Sequence, residues 1–418
     1  MSGLRDQIVR MGPPARAAAR YLAKATATEK SRLLEAIARS LDGARREVAE
    51  ANGRDVERGR QQGLSAALLD RLTLTEKRLD AMIRGVEEVL ALPDPVGERM
   101  KAWTLPNGLA LEKVRVPLGV IGIIYESRPN VTIDASVLCL KAGNATILRG
   151  GSEAFESNCA LVRAVAAACR GLGAPEEVVS LVPTTDREAI PILCEMEQFI
   201  DLMIPRGGQG LIETVVRHAR MPVIKHYHGV CQVYVHASAD PAMAEAIVVN
   251  AKCQRPGVCN AVETLLIDRA CAEALLPRLG KALMERGVEL RGDEEVSALV
   301  GRPLKVPENW TTEYLDLILA VRIVEGLEEA IDHLERFGSH HSDAIVASDR
   351  AVAERFLAEV DSAVVYWNAS TRFTDGSEFG FGAEIGISTD KIHARGPMAL
   401  EELTSYKYVA RGSGQVRG

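Results

Sequence analysis

Short apolar runs that alternate with helical segments are the feature that most restricts the fold of this chain. Strands joined in this way run parallel, because each helix carries the chain back across the sheet. The pattern therefore predicts an α/β protein with a doubly wound parallel sheet. The apolar runs each end near a glycine, a proline or a polar turn; they are ATILRGG (145–151), VVSLVP (178–183), LMIPRGG (202–208), CQVYVH (231–236), ETLLI (263–267) and AIVAS (344–348).

The chain before these runs has a different pattern. Between residues 14 and 92, apolar residues such as Leu33, Ile37 and Leu41 recur at helical spacing while charged residues fill the other positions. This stretch predicts a layer of helices. The segment 109–126 then alternates like an exposed strand before it becomes continuously apolar, which predicts an exposed strand followed by a buried one.

Composition excludes several classes of protein. With 418 residues, of which 47% are hydrophobic and 26% charged, the chain predicts a soluble globular protein of two or three domains. The net charge of -7 provides no basic surface for nucleic acid. The sequence shows neither a signal peptide nor a membrane-spanning run, so we expect a cytoplasmic protein. Its 8 cysteines form no CxxC pairs, which argues against a disulfide framework or a metal site.

Two Arg-Gly-Gly turns follow predicted strands, in ILRGGSE (147–153) and IPRGGQG (204–210). Ligands of open parallel sheets bind beyond the carboxyl ends of strands, where glycines allow a phosphate to approach the backbone. Arg149 suits the additional phosphate of NADP. The alternatives are that Gly-Gly only turns the chain and that Arg149 is an ordinary surface residue. RGGQGL differs in spacing from the dinucleotide fingerprint GxGxxG.

The stretch NAKCQRPGVCNAVETLLI (250–267) contains two cysteines in different environments. Residues 240–254 have helical spacing, and Pro256 predicts that the helix ends near Gln254. Cys253 then lies in the last helical turn, whereas Cys259 lies in a loop before a strand. Loops held between rigid elements commonly present nucleophiles. The spacing leaves open whether either cysteine is catalytic or whether the two form a redox pair.

Several strings resemble one family over nearly the whole chain. They are LLDRLTLTEKRLDAM (68–82), LPDPVGE (92–98), YESRPNVTIDASVLCLKAGNATILRGGSEA (125–154), QRPGVCNAVETLL (254–266), EAIDHLERFGSHHSDAIV (329–346) and GFGAEIGISTDKIHARGPMALEELTSYKY (380–408). The chain resembles the gamma-glutamyl phosphate reductases, also called glutamate-5-semialdehyde dehydrogenases, a branch of the aldehyde dehydrogenase superfamily.

This resemblance implies a three-part architecture. A Rossmann-like NADP-binding domain would comprise 1–99 and 117–236, with 373–395 returning to it. An α/β catalytic domain would span 237–372. A small β element for oligomerisation would comprise 100–116 and 396–418, and the terminal segment could hold a strand that pairs elsewhere, on a neighbouring subunit for example.

The resemblance also implies a reaction and its partners. The family reduces L-glutamate 5-phosphate with NADPH to L-glutamate 5-semialdehyde and phosphate, the second step of proline synthesis from glutamate. It implies a homo-oligomer, dimer or tetramer, and raises the prospect of channelling from glutamate kinase. The alternatives are a reductase of another acyl phosphate or acyl thioester, and a non-catalytic scaffold; the intact nucleophile loop and Gly-Gly turns argue against the scaffold.

Residue roles carry over from the family by motif. Cys259 matches the nucleophile, Asn130 in RPNVT the oxyanion-hole amide, and Glu313 the carboxylate that binds the nicotinamide-side ribose. The predicted cofactor residues are Arg149, Gly150, Gly151, Ser152, Glu153, Gly207, Gly208 and Glu313. The predicted substrate-binding residues are Arg128, Arg372, His340 and His341, with His226 and His228 as further candidates; the pattern favours a structural or surface position for each histidine over phosphate or proton handling.

The chain differs from hydrolytic aldehyde dehydrogenases at one informative place. Those enzymes carry a glutamate, in a motif like ELGGK, that activates water to cleave the thioester. The corresponding segment here, KHYHGVC (225–231), contains no carboxylate. The absence of this general base suits an enzyme whose thioester reacts with hydride or phosphate rather than with water.

Overall fold

The computed structural model of the protein describes residues 3–417. Within them the chain divides into two compact units. Unit 1 contains the described residues up to Lys225, Phe381–Gly386 and the residues from Met398 onward. Unit 2 contains His226–Gly380 and Ile387–Pro397.

Unit 1 begins with the predicted helical layer. Its first helices are Leu4–Val9 (α1), Gly12–Leu22 (α2), Ala27–Gly43 (α3), Arg45–Gln61 (α4), Ala66–Leu72 (α5) and Glu76–Ala91 (α6). Local sequence signals fix the helix starts. Thr26, for example, caps α3 through a capping box in which its hydroxyl accepts the Glu29 N–H and the Glu29 carboxylate accepts the Thr26 N–H.

Strands and helices alternate through the rest of unit 1. They are Arg99–Thr104 (β1), Ala110–Pro117 (β2), Val120–Tyr125 (β3), Val131–Lys141 (α7), Ala145–Arg149 (β4), Phe155–Gly171 (α8), Val179–Leu181 (β5), Ala189–Cys194 (α9), Leu202–Arg206 (β6) and Gln209–His218 (α10). Over the described residues, β3 to β6 form a parallel sheet in the order β5-β4-β3-β6. All residues of β3 and β4 are buried, as expected for parallel strands covered by helices on both faces.

Unit 2 follows the same alternation. Its elements are Cys231–Val235 (β7), Pro241–Cys253 (α11), Val262–Asp268 (β8), Arg269–Met284 (α12), Glu289–Arg291 (β9), Glu294–Val300 (α13), Ile318–Val324 (β10), Leu327–Phe337 (α14), Ser342–Val346 (β11), Arg350–Glu359 (α15), Val364–Trp367 (β12), Ile387–Ser388 (β13) and Gly396–Pro397 (β14). The last strand, Thr404–Arg411 (β15), belongs to unit 1.

The main sheet of unit 2 is parallel, in the order β12-β11-β7-β8-β10-β9 among the described residues. Its side chains alternate between two cores. Val233 and Leu265 belong to one core, whereas Tyr234 and Leu266 belong to the other. The sheet is therefore apolar on both faces and doubly wound, as the sequence pattern predicted.

The tail strand pairs within its own chain. Strand β15 runs antiparallel to β2 from Thr404, opposite Pro117, to Arg411, opposite Ala110, and β1 covers the other side of β2. The structure thus places a strand in the tail, as expected, and pairs it with β2 of the same chain.

Some segments lie in a different unit from the predicted domain. Residues 226–236 were expected in the cofactor-binding domain, but β7 pairs with β8 and β11 and so lies in unit 2. Within the predicted return segment 373–395, only 381–386 belongs to unit 1.

Candidate active site

Cys259 lies in the loop between α11 and β8, where the sequence predicted it. The Asp240 side chain caps the start of α11, and the helix ends at Cys253 with Gln254 as its C-cap. Pro256 prevents its continuation. Cys259 is half-buried in the turn that precedes Val262, the first residue of β8.

The segment that enters β7 supports the backbone of Cys259. A Cβ added at Gly229 would stand 1.9 Å from the Cys259 carbonyl oxygen and 2.5 Å from its Cα, so only glycine permits this approach. The Cys231 thiol donates a hydrogen bond of 3.2 Å to the same carbonyl. Gly229 and Cys231 of this segment therefore hold the loop of the candidate nucleophile from one side.

Glu313 lies against this same segment. Its Oε1 accepts a hydrogen bond of 2.9 Å from the Gly229 N–H, and its Oε2 lies 3.8 Å from Nδ1 of His228. The segment KHYHGVC (225–231) contains no carboxylate of its own, but the fold places the Glu313 carboxylate next to it. Half of the Glu313 carboxylate is already hydrogen bonded to the backbone that supports Cys259.

Two arginines place positive charge near the nucleophile loop. The Arg372 Nε donates to Oε1 of Gln254 at 2.8 Å, and Arg372 interacts electrostatically with both Arg255 and Cys259. Burial lowers the pKa of Arg372, and Asp375 opposes this effect. A guanidinium near a thiol favours the thiolate, which is the nucleophilic form.

The environment of Cys253 differs. Burial raises the pKa of the Cys253 thiol, and Arg286 and Lys252 only partly offset this effect. A raised pKa reduces the fraction of thiolate near neutral pH. The structure contains no disulfide among residues 3–417.

The predicted histidines occupy structural positions in unit 2. His341 is fully buried, and burial followed by repulsion from His226 lowers its pKa to about 3, so the ring is neutral. Its Nδ1 lies 2.9 Å from Oγ of Ser342 and 3.6 Å from Sγ of Cys231. His340 points its Nδ1 at the Asp361 carbonyl oxygen, 2.8 Å away. His341 therefore contacts Cys231, whose thiol is hydrogen bonded to the Cys259 carbonyl.

The predicted cofactor residues lie at the carboxyl ends of strands in unit 1. Arg149 ends β4 and is only 6% exposed. Its Nη2 donates to the carbonyl oxygens of Thr185 at 3.0 Å and Asp186 at 3.4 Å. Its buried Nε has no hydrogen-bond partner. Arg149 is thus a largely buried residue with one unused donor, and not an ordinary surface arginine.

The turn after β4 needs both of its glycines. A Cβ at Gly150 would lie 2.1 Å from the Asn158 amide nitrogen, and one at Gly151 would lie 2.2 Å from Oε1 of Glu153. The Glu153 carboxylate accepts hydrogen bonds of 2.6 Å from both the N–H and the hydroxyl of Ser127. These bonds hold Ser127 at a φ of 45°, a strained conformation for a residue with a side chain. Ser152, next to Glu153, is exposed.

The helix after each Gly-Gly turn has a carboxylate of this chain at its N-terminus. Glu126 accepts the Gly208 N–H at 3.0 Å, and a Cβ at Gly207 would lie 2.6 Å from the same carboxylate. Asp55 accepts the Ser157 N–H at 2.8 Å at the start of α8. The first N–H groups of α8 and α10 therefore already have anionic partners.

Asn130 precedes α7, in the segment that follows β3. Its side-chain nitrogen donates to the Asp134 carboxylate at 2.7 Å. Burial raises the pKa of Asp134 to about 6, and this hydrogen bond opposes the rise. Arg128, two residues earlier, is exposed.

Sequence reasoning did not identify three contributors to the site. They are Cys231 and the pair Lys252 and Glu263. The sequence does indicate the pair, because each residue is a charge at a position expected to be buried. Lys252 lies on the apolar face of its helix, and Glu263 interrupts an apolar strand. Nothing in the local pattern indicated Cys231.

No group of histidine, cysteine and acidic side chains within residues 3–417 is arranged to bind a metal ion. In the same residues no helix is both long and apolar enough to cross a membrane.

The chain is similar to known proteins over most of its length. The model of the aldehyde dehydrogenase family matches residues 3–301. The gamma-glutamyl phosphate reductase of Moorella thermoacetica is 56% identical over 97% of each chain, and that of Geobacter metallireducens is 53% identical over 99% of each. The crystal structure of the Thermotoga maritima gamma-glutamyl phosphate reductase superposes with a TM-score of 0.97, at 45% identity, over 99% of this chain and 100% of that one.

A more distant structure shares the fold alone. An engineered glycolyl-CoA reductase with bound NADP+ superposes with a TM-score of 0.67 at 16% identity, over 97% of this chain and 96% of that one. The predicted aldehyde dehydrogenase-like α/β fold is therefore confirmed. The chain belongs to the aldehyde dehydrogenase family and, within it, to the gamma-glutamyl phosphate reductases.

Proposed function

We propose that this protein reduces L-glutamate 5-phosphate with NADPH to L-glutamate 5-semialdehyde and phosphate, the second step of proline synthesis from glutamate. Relatives that carry the name of this activity are 53% and 56% identical over nearly the whole chain. The observation that carries the proposal is the position of Cys259, half-buried in a loop whose backbone Gly229 and Cys231 support.

The proposed reaction begins at the sulfur of Cys259. The thiolate attacks the acyl carbon of the mixed anhydride, and a carbon–sulfur bond forms while the carbonyl oxygen becomes an oxyanion. We assign stabilisation of this oxyanion to the Cys259 backbone N–H and the Asn130 side-chain amide. Phosphate leaves with the electrons of the broken carbon–oxygen bond, and a thioester remains on Cys259.

The second half of the reaction uses the cofactor. NADPH, when bound, supplies the hydride that reduces the thioester. The resulting hemithioacetal collapses to the aldehyde, and the sulfur of Cys259 leaves as the thiolate. The segment that enters β7 contains no carboxylate to activate water, and the Glu313 carboxylate beside it is hydrogen bonded to the Gly229 N–H; this arrangement suits a thioester that is not hydrolysed.

The residues at the strand ends of unit 1 fit a dinucleotide. The buried Nε of Arg149 has no partner and is available to an anion, and the Glu153 carboxylate suits ribose hydroxyls. We propose that these two residues hold NADPH together with the turns around them: Gly150, Gly151, Ser152, Gly207 and Gly208. Glu313 would bind the nicotinamide-side ribose.

Substrate anions need positive partners. We propose that Arg128 and Arg372 bind the carboxylate or the phosphate of the substrate, because a guanidinium matches the geometry of both groups. His340 and His341 stay further candidates for the same task. The neutral, buried state of His341 suits support of the nucleophile loop better than binding of an anion.

Substitution of the cysteines tests the proposed nucleophile. We expect Cys259→Ala to lower the rate of NADP reduction by glutamate semialdehyde and phosphate by at least about a thousandfold, because no other group can form the thioester. Cys253→Ala, the matched control in the same stretch, should retain most of the activity. The opposite result would exclude Cys259 as the nucleophile.

The substrate and the cofactor are tested in the same assay. Glutamyl phosphate should be reduced faster than aspartyl phosphate or an acyl-CoA, and NADPH should be preferred to NADH. Replacing phosphate with water in the reverse reaction should abolish turnover, whereas arsenate should support it. Equal rates with aspartyl phosphate would show that the chain is a reductase of a different acyl phosphate.

We also propose a cytoplasmic homo-oligomer, dimer or tetramer, with the sheet of β1, β2 and β15 as the assembly element. Its outer strands β1 and β15 are largely exposed, and β15 presents Tyr406 and Tyr408 to solvent. Channelling of the labile acyl phosphate from glutamate kinase belongs to the same proposal.

A further inference from the structure

A buried ion pair brackets the loop that carries Cys259. Helix α11 ends at Cys253 and strand β8 begins at Val262, so Lys252 and Glu263 lie just before and just after the loop. Lys252 Nζ is 2.7 Å from Oε2 of Glu263, and both side chains are 0% exposed. The pair joins the two ends of the loop inside unit 2.

Stability alone does not account for this pair. Two charges removed from water lose hydration, and apolar residues of similar volume commonly serve a core as well. Burial lowers the pKa of Lys252 and raises that of Glu263 to about 7, in each case against the attraction of the partner. The pair instead holds the two side chains in one arrangement, because any other arrangement would leave a charge unpaired in apolar surroundings.

Glu263 also fixes a second segment. Its Oε1 accepts a hydrogen bond of 3.2 Å from the Leu315 N–H. Leu315 has a φ of 54°, a left-handed conformation that is unfavourable for leucine. Glu313, two residues earlier, accepts the Gly229 N–H, and Gly229 contacts the Cys259 carbonyl. The ion pair is therefore connected to the Cys259 backbone through the segment 313–315 and Gly229.

We propose that Lys252 and Glu263 are positioning residues, which fix Cys259 by closing the base of its loop and fix Glu313 through Leu315. This inference rests on the proposed function, in which Cys259 is the nucleophile and Glu313 binds the cofactor. In this proposal the ion pair fixes the position of the loop that carries Cys259. The hydrogen bond from Leu315 to Glu263 fixes the position of Glu313.

Two double substitutions separate these effects. Lys252→Met with Glu263→Leu removes the ion pair and the acceptor for Leu315. Lys252→Met with Glu263→Gln removes the charges but keeps an amide oxygen in place of Oε1. Neither variant leaves a charge buried alone, which is the event that unfolds proteins when one partner is removed. The Gln variant also differs least in shape from the native pair.

Each variant has its own expected kinetics. We expect both to lower kcat about tenfold or more, with little change in KM for glutamate semialdehyde, and to slow alkylation of Cys259 by iodoacetamide. Only the Leu variant should also raise KM for NADP, by about fivefold or more. Lys30→Met with Asp94→Asn is the matched control, because it removes an ion pair of 2.6 Å with a fully buried lysine in unit 1. It should leave kcat within twofold.

Folded variants that keep kcat and the rate of alkylation within twofold of the native values would overturn the proposal. So would an equal loss of kcat in the Lys30/Asp94 control, since that would show a general effect of stability. If Cys259→Ala remains active, the proposed nucleophile is wrong instead, and the two failures are thereby distinguished.

Discussion

Gly229 packs directly against the backbone of the candidate nucleophile. Its missing side chain leaves room for the carbonyl of Cys259, which also accepts the hydrogen bond from Cys231. Its N–H binds Glu313. One glycine thus determines both the position of the nucleophile loop and one hydrogen bond of the proposed ribose-binding carboxylate.

Replacing Gly229 by alanine should impair catalysis. The new Cβ cannot remain 1.9 Å from the Cys259 carbonyl oxygen, so the loop must move. Because displacement of a reacting group by about 1 Å can reduce a rate about a hundredfold, we expect kcat to fall by roughly ten- to a hundredfold. Steady-state kinetics and the rate of Cys259 alkylation would measure this.

Gly257 provides the comparison within the same loop. A Cβ there would meet only the Leu315 carbonyl oxygen, at 3.6 Å, which is an ordinary contact. Gly257→Ala should therefore cost much less activity than Gly229→Ala. Similar losses in both variants would contradict the view that the clash with Cys259 is the cause.

At the scale of elements, the strands of each unit with strong sequence patterns were predictable. Apolar runs that end near a glycine, a proline or a polar turn predicted β4, β5, β6, β7, β8 and β11, and all six are found. Strand β10 was not predicted, because Arg322 interrupts its apolar run. The short strands β9, β13 and β14 contain too few residues to show any period.

The candidate site was predictable only in part, for a related reason. The loop position of Cys259 follows from Pro256 and the helix before it, both of which are local. The contacts of Gly229 with Cys259 and Glu313 join residues that are far apart in the sequence. Local periodicity contains no information on such contacts, and the family resemblance supplied the roles without the geometry.

Helix α8, which follows the first Gly-Gly turn, depends on another helix for its cap. Asp55 of α4 accepts the N–H and the hydroxyl of Ser157 at 2.8 and 2.7 Å and also pairs with Arg58. Burial raises the pKa of Asp55, and the bonds from Ser157 and Glu156 oppose the rise. This carboxylate therefore ties the helical layer to the helix behind the cofactor turn.

Asp55→Ala should destabilise unit 1 by roughly 1–3 kcal/mol, because it leaves buried donors without an acceptor. It should also raise KM for NADP, since the turn 150–154 precedes α8 directly. Urea unfolding and kinetics would measure the two effects. Glu57→Ala, at an exposed position of the same helix, should change stability by less than about 0.5 kcal/mol. Equal effects of the two substitutions would rule out the capping role.

At the scale of the whole molecule, the two units place their candidate residues differently. In unit 1, Arg149 ends β4 and Gly207 follows β6, in agreement with the rule that ligands bind at the carboxyl ends of parallel strands. In unit 2, Gly229, Cys259 and His341 precede β7, β8 and β11. The candidate residues of unit 2 thus belong to loops that enter its sheet, and the rule alone would not have located them.

Acid should destabilise the molecule through buried histidines of unit 2. Burial, followed by repulsion from Arg322, lowers the pKa of His333 to about 4. Between its unfolded pKa of about 6.5 and pH 4, the unfolded chain therefore binds a proton that the folded chain does not. His333 contributes stability above pH 6.5 that is lost as the pH falls to 4, at about 1.4 kcal/mol per pH unit. His341 acts in the same direction.

His333→Asn isolates this contribution, because asparagine can still donate to the Gln232 side-chain oxygen that His333 contacts at 2.8 Å. Between pH 6.5 and pH 4.5 the variant should lose roughly 2–3 kcal/mol less stability than the native protein. Urea unfolding would be followed by tryptophan fluorescence, to which Trp310 beside the His333 ring contributes. His218→Asn, at an exposed histidine, is the control. Parallel pH profiles for the native protein and His333→Asn would show that folding does not lower the pKa of this ring.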